Sequence, residues 1–142
     1  MTGVSTSPSW SFAGGQAEAR LGTAAATAGD INGDGFAEVI VGADAFNSER
    51  TDEGAAWLFL GSATGLEENP HLIAFGGQST AWSGWAVAGA GNVNGDMSMS
   101  QHPIDDIVVG TYGYDGTNFD AGRDRVYHGS ATGLPTASDC AK

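Results

Sequence analysis

The chain repeats itself, and that is the strongest constraint on how it can fold. GSATGL at residues 61–66 returns unchanged at 129–134, and FAGGQ at 12–16 returns as FGGQ at 75–78. GDINGDG at 29–35 aligns with GNVNGDM at 91–97 at a separation of 62, whereas EVIVGA at 38–43 aligns with DIVVGT at 106–111 at a separation of 68. The second copy therefore carries six extra residues, within MSMSQHPID at 97–105. A tandem unit of this length is one that packs against its own copies.

Each unit reads as four short strands: an outer run such as HLIAF (71–75), a small-residue run such as GTAAATAG (22–29), then EVIVGA, then AAWLFL (55–60). No segment sustains a 3.6-residue apolar period, and 23 glycines supply the turns, so the fold class is all-β. Four antiparallel strands per unit make one blade of a β-propeller, and two units make two blades per chain. A sandwich or immunoglobulin-like domain fits near-identical copies less well. The chain divides into 9–66 (repeat 1, in which SWSF at 9–12 is strand four of a neighbouring blade, followed by blade 1 strands one to three), 67–134 (repeat 2, with a third strand around RVYHG at 125–129) and a tail at 135–142.

In AAWLFL, Trp57 and Phe59 point one way and Leu58 and Leu60 the other, so the blades are apolar on both faces and need a neighbour on each side. The expectation is a ring closed by homo-oligomerisation, three copies making six blades or four making eight, each lending its first strand to the next. A fragment of a longer propeller is the alternative.

The turn GDINGDGFAE concentrates charge. Asp30, Asn32 and Asp34 alternate along a loop that Gly33 and Gly35 allow to curl, with the carbonyl of Phe36 at position seven and Glu38 at position nine. Hard oxygen donors at this spacing suit Ca²⁺, not Zn²⁺. An EF-hand needs Glu at position twelve, where Val41 stands. The second copy offers a weaker set, Asn92, Asn94 and Asp96 with Asp105 or Asp106, because Asn92 replaces the first carboxylate. The cation's expected role is structural, offsetting carboxylate repulsion between strands one and two.

LGTAAATAGDINGDGFAEVIVGAD resembles the FG-GAP repeat of integrin α-subunit propellers and their bacterial relatives, with its F-G pair, D-x-D-x-D-G-x-x-D calcium loop and G-A-P turn. Leu21-Gly22, Asp30 to Glu38 and Gly42-Ala43-Asp44 occupy those places. In the second copy they are Ser83-Gly84, an interrupted loop and Gly110-Thr111-Tyr112. The resemblance implies calcium binding, an integrin-like role such as cell adhesion, a ligand on the rim opposite the metal loops, and an extracellular or cell-surface setting.

That opposite rim carries the long connections 44–54 and 111–122, with QSTAWSGW (78–85) beside them. Rings among Asp and Asn are what sugar or peptide recognition uses. Trp82, Trp85, Tyr112, Tyr114, Asp115 and Asn118 are the candidates for binding a carbohydrate or protein ligand; packing between blades is the competing role for Trp85 and Tyr112. A purely structural or assembly propeller is the alternative function.

A net charge of −12 argues against nucleic acid and anionic membrane as partners. No apolar run of 18 residues predicts membrane insertion, and MTGVSTSPS lacks the regions of a signal peptide, so the expectation is an intracellular chain or an excised piece. Cys140 is the single cysteine, which leaves no disulfide within the chain. His71, His102 and His128 lie in different elements, His102 within the six-residue extension, and no H-E-x-x-H or G-x-S-x-G motif is present. The protein is therefore expected not to be an enzyme. A paired-carboxylate hydrolase using Asp115 and Asp120 across a subunit boundary is the catalytic alternative.

Overall fold

A computed structural model describes residues 3–134; the tail expected at 135–142, including Cys140, lies outside them. Seven strands form two antiparallel sheets, with no helix among the described residues. Blade 1 contains β1 (Ala24–Gly29), β2 (Glu38–Ala43), β3 (Ala55–Phe59) and β4 (Leu72–Phe75), hydrogen-bonded in that order. Blade 2 contains β5 (Ser83–Gly91), β6 (Asp106–Thr111) and β7 (Arg123–Tyr127), again in chain order.

The repeat extends to backbone detail. The inner strands carry the same irregularity, between Thr27 and Gly29 in β1 and between Gly89 and Gly91 in β5. Left-handed residues recur as well: Glu18 with Thr80, Arg20 with Trp82, and Asp52 with Asp120. β7 begins two residues before the expected RVYHG strand, because Arg123 and Asp124 continue the ladder opposite Thr111 and Gly110.

Every residue of β3 is buried, which follows from an apolar strand enclosed on both sides. On one side Ile40, Ala56, Leu58, Leu72 and Ala74 meet Ile107, Val109 and Tyr127 of blade 2, forming the core between blades. On the other, Trp57 and Phe59 meet Trp10 and Phe12; both rings contact Phe59, with centroids 4.9 and 4.8 Å away. Fully burying such side chains contributes roughly 1.5–3 kcal/mol each.

The expected outer strand at residues 9–12 is not a strand. Aligned on the shared GGQ, Trp10 and Phe12 correspond to Leu72 and Ala74, and each pair lies on the face of the blade that follows it. The segment keeps the position of a fourth strand without the ladder, because neither of the two sheets offers it a third strand to pair with. Blade 2 correspondingly has three strands. Its far face, with Ala86, Ala88, Val108 and Gly110, surrounds a shallow depression of about 240 Å³.

Two rims and a candidate ligand site

The sheets place their connections on two opposite rims. On the first, the acidic loop of blade 1 is drawn tight by its own side chains. Asp30 accepts the amides of Asp34 (3.0 Å) and Gly35 (2.8 Å), Asn32 accepts that of Asp34 (3.0 Å), and Asp34 accepts that of Phe36 (2.9 Å). The Asn32 amide group also donates to Asp34 at 2.9 Å. Gly33 and Gly35 both take positive φ, 71° and 93°, which a side chain would resist.

Glu38 is fully buried below this loop. Its two oxygens accept the N–H of Ile31 at 2.7 Å and of Gly61 at 3.2 Å. Burial pushes its pKa up to about 7; the two N–H donors oppose the rise, and the charges of Asp34 and Asp30 add to it. Among the described residues no three His, Cys, Asp or Glu side chains converge as a metal cluster. The loop instead combines two carboxylates with an amide oxygen and backbone carbonyls, an all-oxygen set with uncompensated negative charge. That chemistry fits a hard divalent cation.

The second loop keeps half of this arrangement. Asn94 donates to Asp96 at 3.0 Å and accepts its amide at 3.1 Å, as Asn32 does with Asp34. Asn92 accepts the amide of Gly95 and donates to the carbonyl of Asp96. One oxygen of Asp96 is buried without a hydrogen bond; the matching oxygen of Asp34 holds Phe36, and in the second copy the six-residue extension has displaced that donor. Asp106 is not beside this set but below it, buried, accepting Val93 N–H at 2.7 Å and Gly129 N–H at 2.9 Å.

The opposite rim bears an aromatic shelf. Trp82 lies flat on Tyr112, centroids 4.9 Å apart and planes 9° from parallel, and Trp85 meets Tyr112 edge-on at 5.0 Å. Trp85 is 49% exposed and Tyr112 48%, so both present ring surface to solvent. In the first copy the positions of Trp82 and Tyr112 hold Arg20 and the buried Asp44, an ion pair at 3.5 Å. Trp82 keeps Arg20's left-handed backbone, with φ of 51° against 56°.

The FG-GAP repeat family profile matches residues 21–59, which run from before β1 through β3. Residues 21–59 are an FG-GAP repeat. It is similar to integrin alpha-3 of Cricetulus griseus, 34% identical over 124 residues, and to integrin alpha-5 of Xenopus laevis, 30% identical over 117 residues; these alignments cover 85% and 80% of this chain and 10% of each relative. Integrin alpha-6 of Gallus gallus is 33% identical over 107 residues, 75% of this chain and 9% of the relative. The chain thus spans about a tenth of the length of the curated relatives it matches.

Of the six ligand candidates, the fold brings three together, Trp82, Trp85 and Tyr112. Tyr114 lies under the guanidinium of Arg123, 3.6 Å from ring centroid to Cζ. Asp115 is held by Gln78, which accepts its amide at 2.9 Å and donates to its carboxylate at 3.1 Å. Gln16 and Asn47 make the corresponding clasp in the first repeat, so Asp115 sits in a structural position. Asn118 is exposed in the same connection. No helix of the described residues is long and apolar enough to cross a membrane.

Sequence reasoning missed the shared bracing by Glu38 and Asp106. The available signal was their common place at the head of the second strand of each repeat, followed in both by the glycine of GSATGL.

Proposed function

We propose that this chain is a two-blade segment of a cation-stabilised, integrin-like propeller that recognises a carbohydrate or protein ligand on the rim opposite its acidic loops. The aromatic shelf carries this reading. Tyr112 is stacked by Trp82 and met edge-on by Trp85, Tyr112 and Trp85 are half-exposed, and the Trp82 and Tyr112 positions hold the Arg20–Asp44 ion pair in the first repeat. A flat, solvent-facing surface of this kind takes the apolar face of a sugar or a peptide side chain. On glycan and peptide arrays the protein should retain a defined set of probes, and Trp85→Ala should abolish retention without a comparable loss in melting temperature. Retention of no probe would favour a purely structural propeller.

The reading is non-catalytic. Asp115 and Asp120, the carboxylates a hydrolase would draw on, lie in one connection in which Asp115 accepts the Asp120 amide at 2.7 Å and is also tied to Gln78. Polysaccharides bound on the shelf should be released unchanged; product formation would return the hydrolase.

Ca²⁺ is the cation that the loop chemistry suits, with Asp30, Asn32, Asp34 and the Phe36 carbonyl as donors and Glu38 beneath. Added Ca²⁺ should raise the melting temperature, and Asp34→Ala should remove that response.

The far face of blade 2 is read as covered by another blade from a second copy, three or four copies giving six or eight blades. The support is continuity: the equivalent face of blade 1 forms the core against blade 2. A trimer or tetramer mass by light scattering fits this assembly, whereas a monomer puts the covering blade on further chain.

A further inference from the structure

The six-residue extension of the second repeat leaves Met99 in solvent but is anchored on the neighbouring blade through Ser98 and Ile104. It folds into a small hairpin, with Met97 bridged to Pro103 and the Ser98 amide bonded to the His102 carbonyl at 2.8 Å. The hairpin reaches across the blade boundary onto the acidic loop of blade 1. A side chain added at Gly33 would collide with Ser98 and touch Ile104, and the side chain of His102 stands by Gly35. Ser98 and Ile104 are buried there.

At the end of the extension, Asp105 and Asp30 are joined twice. The Asp105 carboxylate accepts the Asp30 amide at 3.0 Å, and the Asp105 amide donates to the Asp30 carbonyl at 2.9 Å. The next carbonyl, of Ile31, accepts the Ser130 amide at 3.0 Å. A side chain at Gly29 would overlap the Asp105 carboxylate, so the approach requires that glycine. The first repeat has Ala37 where the second has Asp105, and an alanine can offer no such acceptor. The contact is therefore particular to the boundary between blade 1 and blade 2.

We propose that the extension is a clasp on the blade 1 cation loop, with Asp105 as the positioning residue, so that the loop holds its cation-binding shape only while blade 2 is docked. The proposal rests on the cation reading above. Asp105 acts by fixing the backbone at Asp30, the first residue of the donor set, and not as a ligand. A loop already held in shape loses less conformational freedom on binding, which raises affinity.

Calcium titration calorimetry on the full chain tests this, with Ca²⁺ alone as the probe. Asp105→Ala should weaken binding about tenfold, the size expected for losing a hydrogen bond to a charged acceptor. Asp105→Asn, which retains an acceptor oxygen, should stay within about threefold. Wild-type affinity in the alanine variant overturns the clasp and leaves the cation reading intact; equal loss in both variants shows that charge alone matters and also overturns it. Absence of Ca²⁺ binding in the unaltered chain defeats the cation reading, and the clasp with it. Should Asp105→Ala not fold, hydrogen exchange at the Asp30 amide of the unaltered chain decides. Protection in chelator supports the clasp, and free exchange overturns it.

Discussion

Glu38 and Asp106, 68 residues apart, do the same work in their repeats: each buried carboxylate accepts one N–H from its acidic loop and one from the glycine that opens the GSATGL turn. A buried acceptor that serves two backbone donors is costly to lose. Asp106→Ala would strand the amides of Val93 and Gly129, at roughly 1–3 kcal/mol for each unpaired group. We expect urea unfolding to show a loss of about 2–4 kcal/mol, with Asp106→Asn losing less because one acceptor remains.

Glu38 gives the stability a pH dependence of defined sign. Its pKa rises from the ordinary 4.5 to about 7 on folding, first because it is buried. The folded state thus binds the proton more tightly than the unfolded chain, and stability must fall as pH rises between those values. In chelator, the melting temperature should decline from pH 4.5 to 7 by more than in Glu38→Gln. Ca²⁺ favours the ionised form, so saturating Ca²⁺ should flatten the decline.

Gly42 and Gly84 sit at a close backbone contact between blade 1 and blade 2. A Cβ on Gly42 would run into the carbonyl oxygen of Gly84, and one on Gly84 into that of Ala55. Backbone atoms cannot turn aside as a flexible side chain can, so the blades themselves would have to separate. Gly42→Ala should cost at least ~2 kcal/mol, within the range for overpacking a close interface. The expected readout is a lower urea midpoint, with an unchanged slope if unfolding remains cooperative.

Strand positions within the two sheets were legible in the sequence because repeated apolar runs and glycine turns encode them locally, and Glu38–Ala43 and Asp106–Thr111 coincide with the aligned motifs, whereas residues 9–12 read as a strand and form none. The opposed directions of Trp57 and Leu58 follow from strand alternation alone. Two further features were not legible. A carboxylate in a calcium-type pattern reads the same whether it faces a cation or braces backbone amides, and only the fold puts Gly61 beside Glu38 and Gly129 beside Asp106. The extension at 97–105 reads as a surface loop because its partner, the loop around Asp30, lies some 70 residues earlier and becomes a neighbour only when the blades stack.

The aromatic shelf can be dismantled without removing a ring. Gly113 packs so closely beneath Trp82 that a methyl group there would enter the indole and also press on the Thr80 carbonyl. Trp82 already holds a left-handed backbone, φ 51°, and Thr80 another, φ 56°, so this turn has little freedom to absorb the intrusion. The rings would part instead, because the parallel stack of Trp82 on Tyr112 is worth only about 0.5–1.5 kcal/mol beyond its buried area. Gly113→Ala should therefore abolish retention of ligands on glycan or peptide arrays while every aromatic residue is kept. Near-ultraviolet circular dichroism should report the altered tryptophan packing. Retention at the level of the unaltered protein, with that spectrum changed, would move the ligand site away from the shelf.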